Sequence, residues 1–206
     1  MTTVAIADDQ TLIRSALATM LDLEHDLTVV GQAGTCAEAI EVARITTPDV
    51  LLLDVQMPDG GVAADDGIDA LPLIRGASPA TKVIVLTTFG RPGYLRRSLE
   101  SGAVGFLVKD TPVDRLIDAI RRVAEGLRVV DPDLAATSFM IGASPLTEKE
   151  ALVLAASAGG VSAGEIASTV FLSEGTVRNY LSSAIGKLGA RNRSEALRTA
   201  TDNGWL

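Results

Sequence analysis

The chain contains very little cysteine, and it has no long hydrophobic run. Its single cysteine, Cys36, excludes an intrachain disulfide and any zinc site that needs several thiolates. No apolar stretch approaches the length of a membrane span, and the N-terminus lacks the basic and then apolar pattern of a signal peptide. These absences favour a cytoplasmic, reducing location, and the 206 residues leave room for one large domain or two small ones.

Positive charge is also scarce, which argues against a chain that binds nucleic acid along its whole length. The formal net charge is −8. Residues 1–143 contain 12 Lys and Arg against 20 Asp and Glu, whereas residues 144–206 contain 6 of each kind. The excess of acid therefore lies in the first part, and the neutral tail is the part in which a DNA contact would be tolerated.

The first part of the chain alternates five times between a short apolar run and a helical pattern. The apolar runs cover residues 3–7, 27–30, 50–53, 82–86 and 105–108. Such alternation predicts a parallel sheet with helices on both faces. We predict the flavodoxin-like (βα)5 fold with strand order 2-1-3-4-5, in which ligands bind beyond the carboxyl ends of strands one and three. The last helix is expected to open at Pro112, with Thr111 as its N-cap.

Four of the predicted strands end in residues that could build one site. Asp8 and Asp9 follow strand one, Asp54 follows strand three, Thr87 ends strand four and Lys109 follows strand five. Clustered carboxylates repel one another unless a cation such as Mg²⁺ is present, and a carboxylate can accept a phosphoryl group. Each residue alone also has a structural explanation, such as a helix cap for the Asp pair. Their joint placement favours a phosphoryl-accepting site.

Residues 3–126 resemble the receiver domain of two-component response regulators. The motifs that carry the resemblance are Asp8-Asp9, Asp54 followed by Met57-Pro58, Thr87-Thr88, and the run from Gly105 to Asp110. The resemblance implies that Asp54 is the phospho-acceptor and that Asp9 and Asp54 bind Mg²⁺ directly. It also implies that Asp8 acts through water and that the main-chain carbonyl of Gln56 completes the metal site.

The same resemblance identifies a switch pair and exposes one departure from the family pattern. Thr87 and Phe106 match the hydroxyl and the aromatic residue of the switch, although plain core packing would also explain Phe106. The departure is the loop Asp59–Asp66, which places eight residues between Pro58 and Gly67 where the family usually has three. This loop could affect kinase docking or the lifetime of the phosphate, or it could be a passive flap.

Three domain limits follow from these patterns. Residues 1–126 are predicted to form the receiver domain. Residues 127–143 lose the sheet pattern and are predicted to be a linker, with a short helix over 133–140. Residues 144–206 are predicted to form an all-α helix-turn-helix domain of four short helices.

The helix starts in the tail carry recognisable caps. Thr147 and Glu150 form a capping box at the first helix, Ser173 caps the third, and Asn192 or Ser194 caps the fourth. The polar face of the third helix is small and hydrogen-bonding, which suits entry into a major groove. An ordinary solvated helix face remains the alternative.

Residues 144–206 resemble the LuxR-type DNA-binding domain. Its pattern is matched by Pro145-Leu146-Thr147, Glu165-Ile166-Ala167, Leu172-Ser173, Thr176 to Tyr180, Lys187-Leu188 and Arg191-Asn192-Arg193. The residues predicted to contact DNA are Thr176, Val177, Arg178, Asn179, Ser182, Lys187, Arg191 and Arg193. The last helix would pair two monomers in that family.

The order of the two domains is that of NarL/FixJ-type response regulators, and Thr87 to Tyr94 with Gly204-Trp205 is most similar to the DesR-like subgroup. The resemblance implies a membrane histidine kinase as phosphodonor, homodimerisation on phosphorylation and binding to double-stranded DNA. RNA polymerase is a further candidate partner. The chain is expected to be no enzyme beyond accepting, and slowly releasing, its own phosphoryl group.

Two other functions are compatible with parts of the pattern. A Mg²⁺-dependent phosphatase also uses an Asp nucleophile beside metal-binding acids, and it would turn over small phosphate esters repeatedly. Alternatively, the tail of a receiver protein could bind protein or RNA instead of DNA. Uptake of a single phosphoryl group per molecule would exclude the phosphatase. Sequence-selective binding to double-stranded DNA would exclude a tail that binds protein or RNA.

Overall fold

The computed structural model describes residues 1–64, 66–88, 90–142 and 144–206, without the side chains of residues 138–141. Asp65 of the acidic loop, Phe89 of the subgroup motif and Ala143 of the predicted linker lie outside the described residues. The chain divides into two compact units. They are Met1–Gly90 with Leu95–Ala135, and Arg91–Tyr94 with Ala136–Leu206.

The first unit is built on one parallel sheet with the strand order β2-β1-β3-β4-β5-β6. The strands are β1 (Thr2–Ala7), β2 (Leu27–Ala33), β3 (Val50–Leu53), β4 (Lys82–Thr87), β5 (Gly105–Val108) and β6 (Val129–Val130). The predicted order 2-1-3-4-5 is confirmed for the first five strands. The switch point therefore lies between β1 and β3, whose register pairs Ala7 with Leu53.

The sixth strand corrects one expectation, because it lies in the segment that the sequence pattern assigned to a linker. Val129 pairs with Gly105 and Val130 pairs with Phe106 in parallel register. The amide of Asp131 then donates to the carbonyl of Phe106 at 3.1 Å. Two residues are too few to show a strand period, so only the tertiary pairing reveals this strand. The predicted domain limits otherwise stay a prediction.

Helices cover both faces of the sheet. The helices that alternate with the strands are α1 (Thr11–Asp22), α2 (Cys36–Thr46), α3 (Gly67–Ala77), α4 (Pro92–Glu100) and α5 (Val113–Ala124), and only the part of α4 from Leu95 onward belongs to this unit. Leu21 of α1 and Ile120 of α5 join Ile6 and Leu52 in one buried cluster, whereas α2 and α3 pack against each other. All four residues of β3 are at most 1% exposed, because both sides of this central strand are covered.

Helix α5 begins one residue later than predicted. Pro112 occupies the cap position with φ −53° and ψ 141°, and its ψ is not helical. Thr111 therefore does not cap this helix, and the expectation of Pro112 as its first residue was wrong. The fixed φ of proline is compatible both with the cap position, where Pro112 lies, and with the first position of a helix.

Helices make up the second unit and the segment that leads to it. They are α6 (Pro132–Ile141), α7 (Glu148–Ala155), a short 3₁₀ turn (Ala158–Gly160), α8 (Ala163–Thr169), α9 (Glu174–Lys187) and α10 (Arg193–Asp202). Val153 of α7, Ile166 of α8 and Val177 of α9 share one buried cluster. Helix α8 and helix α9 are the predicted helix-turn-helix pair. Among the described residues no helix is long and apolar enough to cross a membrane.

Side-chain caps fix the starts of these helices as the sequence predicts. The Thr147 hydroxyl accepts from the amide of Glu150, whose carboxylate in turn accepts from the amide of Thr147 at 2.7 Å. Ser173 caps α9. Asn192, and not Ser194, caps α10 through its side-chain oxygen.

Glu150 connects two helices of the tail through a buried carboxylate. Although only 5% exposed, it accepts from Lys187 and Ser183 of α9 as well as from the Thr147 amide, each at 2.7 Å. The hydrogen bond from Lys187, followed by those from Thr147 and Ser183, lowers the pKa of Glu150 from 4.5 to about 2. The charged form is therefore preferred in the folded tail.

We expect the tail to lose stability in acid because of this carboxylate. A depressed pKa contributes stability above pH 4.5, and that contribution disappears as the pH falls towards 2. Glu150→Gln should cost roughly 2 kcal/mol of unfolding free energy at neutral pH and should flatten this acid dependence. The fluorescence of Trp205, the single tryptophan, follows tail unfolding during urea titrations at each pH.

The exposed neighbour Glu148 supplies the matched control for that experiment. Glu148→Gln should leave the acid dependence of unfolding intact, because Glu148 lies on the surface of the same helix. An unchanged pH profile in Glu150→Gln would contradict the role given to Glu150.

Candidate functional site

The predicted site residues meet at the carboxyl edge of the sheet. Main-chain hydrogen bonds between neighbouring strands continue beyond the last strand residues and fix the positions of the site residues that follow. The amide of Asp54 donates to the Ala7 carbonyl at 2.8 Å, and the amide of Lys109 donates to the Thr87 carbonyl at 2.8 Å. The ends of β1, β3, β4 and β5 are thus fixed relative to one another before any side chain is considered.

Three carboxylates form a group that could hold a cation. One ligand oxygen from each of Asp8, Asp9 and Asp54 lies within 4.8 Å of the others. Asp8 and Asp54 are each 2% exposed, whereas Asp9 is open to solvent. Oxygen-only ligands with an open side suit Mg²⁺, which keeps several waters. Within the described part of the chain, the buried Oδ1 of Asp54 has no hydrogen-bond partner, so it is the Asp54 oxygen that could form a new bond.

Lys109 lies between two of these acids. Its Nζ is 2.7 Å from Asp8 Oδ2 and 2.9 Å from Asp54 Oδ2, and its side chain is 9% exposed. Burial raises the pKa of Asp54, and the hydrogen bond from Lys109 opposes that rise. Burial works to lower the pKa of Lys109, but its bonds to Asp8 and Asp54 leave it raised. The ammonium is therefore charged at neutral pH and faces the predicted acceptor.

The remaining predicted residues lie near this group. Thr87 and Phe106 are both fully buried, and Phe106 pairs with Val85 of β4 and with Val130 of β6. Gln56 is exposed in the turn two residues after Asp54. Burial of Phe106 is compatible with the inward position of a switch and with plain core packing, so its switch role stays a prediction.

Two residues that support the site did not stand out in the sequence. Arg14, one turn into α1, donates from a guanidinium nitrogen to the main-chain carbonyl of Asp8. Gly67, at the start of α3, packs its backbone against Asp54: a Cβ built on Gly67 would lie 2.0 Å from the Asp54 carbonyl oxygen. Neither contact could be predicted from a sequence pattern, because each involves a main-chain carbonyl and a residue of another element.

The long acidic loop is anchored at both ends. The amides of Cys36 and Ala37 donate to the carbonyls of Pro58 and Asp59 at 2.9 and 3.0 Å. At the other end, the Asp66 side chain caps α3, and the Arg97 guanidinium of α4 lies 3.1 Å from it. Arg97 also contacts Asp69 at 2.8 Å. The two ends of the loop are therefore tied to α2 and α4.

The residues of α9 that were predicted to contact DNA differ in how far they are exposed. Val177 is fully buried in the helical core, so the expectation that it contacts DNA was wrong. Thr176 is half-buried, and its hydroxyl lies 2.8 Å from that of Ser173. Asn179 and Ser182 are exposed on the outer face of α9.

The four cationic residues in that prediction all have partners. The Arg178–Glu174 pair (2.8 Å) and the Arg191–Glu195 pair (3.1 Å) involve exposed guanidinium groups. Such surface pairs contribute little stability, so DNA phosphates can replace them. Lys187 instead forms an ion pair with buried Glu150. Half-buried Arg193 donates to the Val161 carbonyl at 2.6 Å. Of these four cations, Arg178 and Arg191 are the two whose exposed guanidinium groups are held by surface ion pairs.

Comparisons with known proteins agree with this arrangement. The family profile described as "Response regulator receiver domain" matches residues 4–121, and that described as "Bacterial regulatory proteins, luxR family" matches residues 144–200. The chain is similar to the uncharacterized transcriptional regulatory protein YvfU of Bacillus subtilis (strain 168), with 41% identity over 98% of both chains. It is also similar to the transcriptional regulatory protein DesR of the same organism, with 38% identity over 100% of both. The solved structure of the two-component response regulator RcsB in complex with DNA is similar at 26% identity and a TM-score of 0.71, over 98% of both chains.

Proposed function

The chain belongs to the two-component response regulators that join a receiver domain to a LuxR-family DNA-binding domain, and on that premise we propose that phosphorylation of Asp54 by a histidine kinase controls DNA binding by the tail. The observation that carries the proposal is the buried Oδ1 of Asp54, which has no hydrogen-bond partner among the described residues and lies beside Lys109 and two further carboxylates. A carboxylate of this kind is a nucleophile for phosphoryl transfer.

The two carboxylate oxygens of Asp54 have different roles in this proposal. Oδ1 forms the new bond to phosphorus, and the electron pair of the broken bond leaves with the nitrogen of the kinase phosphohistidine. Oδ2 stays with the Lys109 ammonium, which lies 2.9 Å away and offsets the negative charge that arrives. Asp8, Asp9, Asp54 and the main-chain carbonyl of Gln56 would hold Mg²⁺, which when bound neutralises charge on the phosphoryl oxygens.

The switch would run through two buried residues, Thr87 at the end of β4 and Phe106, the second residue of β5. The Thr87 hydroxyl is the group that would donate to the new phosphoryl oxygens, and Phe106 would move behind it. Phosphorylation adds charge at one point and biases a two-state equilibrium of the surrounding surface. We infer that this change favours a homodimer, in which two tails engage two DNA half-sites.

The partners in this proposal follow from the family and from the exposed face of α9. RcsB is a relative whose structure contains DNA, and Arg178, Asn179, Ser182 and Arg191 are the exposed residues that would contact double-stranded DNA here. RNA polymerase is the protein on which such a regulator would act at a promoter. A cytoplasmic location and the absence of turnover chemistry belong to the same proposal.

Labelling with a small phosphodonor tests the acceptor directly. Wild-type chain incubated with acetyl phosphate and Mg²⁺ should take up one phosphoryl group per molecule, measured by intact-mass spectrometry. Asp54→Ala should take up none, whereas Asp59→Asn, a change in the adjacent acidic loop, should be labelled like wild type. Continuous release of phosphate from small esters would instead support the phosphatase alternative, and labelling of Asp54→Ala would rule out Asp54 as acceptor.

A further inference from the structure

Phe171 lies in the turn between α8 and α9, and its ring takes no part in the core of the tail. Its exposed fraction is 92%, the highest among the large apolar side chains of the described residues. Its neighbours Val170 and Leu172 are partly buried and pack against the cluster around Val177. A single exposed apolar residue is common in proteins, so the exposure alone says little.

The backbone of Phe171 adds a second, independent observation. Its φ is +55°, and Thr47 is the one other non-glycine with positive φ in the described part of the chain. Glycine or asparagine adopts this conformation easily, whereas a bulky side chain does so at an energetic cost. The turn requires the conformation, since the amide of Leu172 returns to the Ala167 carbonyl at 3.0 Å. A phenylalanine here therefore costs stability through backbone strain, and its exposed ring gains no burial on folding to offset that cost.

The position of the turn indicates what the ring could bind. Phe171 comes two residues before Ser173, which caps α9 by accepting from the Thr176 amide at 3.2 Å. In a helix-turn-helix protein the first turns of the second helix reach the base edges of the major groove. Phe171 thus lies just before the N-terminal end of α9, whose first turns carry the exposed residues Arg178 and Asn179.

The chemistry of the major groove offers one apolar partner. The C5 methyl group of thymine is the apolar group that base edges display there, and phenylalanine is among the side chains that contact it. We propose that Phe171 packs against a thymine methyl at the border of the bases read by α9. This inference rests on the proposed function, because it requires that the tail binds double-stranded DNA.

Two substitutions separate the ring from the backbone. Phe171→Asn and Phe171→Gly both suit a positive φ, so both should raise the midpoint of thermal unfolding of the tail by about 4 °C. Both should also weaken binding to DNA roughly tenfold, because the apolar contact is lost. Unfolding is followed in the full chain by the fluorescence of Trp205, the single tryptophan. Leu152→Ala, which removes a 55% exposed apolar residue from α7, is the control and should bind as wild type.

The thymine contact itself is tested by removing the methyl group from the DNA. A duplex is selected from a randomised pool with the wild-type chain, and each thymidine is then replaced in turn by deoxyuridine. One replacement should weaken wild-type binding about fourfold, and the same replacement should have no effect on Phe171→Asn. Fluorescence anisotropy with the full chain measures both affinities.

The outcomes distinguish this inference from the function on which it rests. The thymine contact would be overturned if Phe171→Asn bound DNA as tightly as wild type. It would also be overturned if each deoxyuridine replacement affected Phe171→Asn and wild type equally. In either case, loss of binding in Arg178→Ala would show that the tail still binds DNA through α9. If the wild-type chain selects no duplex from the randomised pool, the proposed DNA function fails together with the contact. A ring that serves a protein partner instead would show as unchanged DNA affinity in Phe171→Asn.

Discussion

Gly67→Ala should lower the free energy of unfolding of the receiver unit by about 3 kcal/mol or more, although it adds only one methyl group. That methyl would lie 2.0 Å from the main-chain oxygen of Asp54 and 3.4 Å from the Cα of Val55. The neighbouring amide of Gly67 already donates to the Val55 carbonyl at 2.8 Å, so the two backbones cannot separate without loss of that bond. Urea unfolding measured by circular dichroism reports the change.

The expected damage extends to the site. Because the methyl presses on the carbonyl of Asp54 itself, Gly67→Ala should also slow phosphorylation by acetyl phosphate under conditions in which the variant is still folded. Gly76, near the end of the same helix, is the matched control: among the described residues, apart from its two chain neighbours and the backbone of its own helix, no atom lies within 4 Å of the point that a Cβ on Gly76 would occupy. Gly76→Ala should stabilise the unit by roughly 0.5–1 kcal/mol through helix propensity. Equal effects of the two substitutions would contradict the close backbone approach at Gly67.

Lys109→Met should reduce the rate of Asp54 phosphorylation by a hundredfold or more. The substitution keeps a long side chain but removes the charge that lies 2.7 Å from Asp8 and 2.9 Å from Asp54. Two nearly inaccessible carboxylates would then face each other without the ammonium that contacts both. The rate is measured by intact-mass spectrometry at saturating Mg²⁺.

A second lysine of the same sheet provides the control. Lys82 donates from its Nζ to the Ala124 carbonyl at 2.7 Å, at the start of β4 and away from the carboxylates. Lys82→Met should be phosphorylated at the wild-type rate, even though it loses a partly buried contact. Since Lys109→Met leaves the acids without their counter-ion, added Mg²⁺ should raise its thermal stability more than that of wild type. An unimpaired rate in Lys109→Met would remove Lys109 from the proposed chemistry.

The chemistry of the receiver site could be predicted because parallel strands place their carboxyl ends at one edge. The apolar run Val50–Leu53 predicts a buried strand that ends at Asp54, and the structure buries all four of its residues. The sequence also predicts the capping box of Thr147 and Glu150 from spacing alone. In each case the information is local, or follows from a rule of topology.

Contacts that depend on tertiary approach could not be predicted in this way. The strand Val129–Val130 is too short to show a period, and it forms because the edge of β5 is available to it. The approach of Gly67 to Asp54 and the bond from Arg14 to the Asp8 carbonyl involve main-chain atoms, which carry no sequence signal. Val177 is a different case: its motif assigns it to DNA, whereas the helical period of the sequence already places it on the buried side of α9, where the structure has it.

The central claim is that the charge on Asp54 controls what the tail does. Its most direct test is the affinity for a selected duplex, measured by fluorescence anisotropy for wild type and Asp54→Ala, each with and without acetyl phosphate and Mg²⁺. We expect the phosphodonor to tighten binding of the wild-type chain and to leave Asp54→Ala unchanged. Tightening of both proteins, or of neither, would contradict the account.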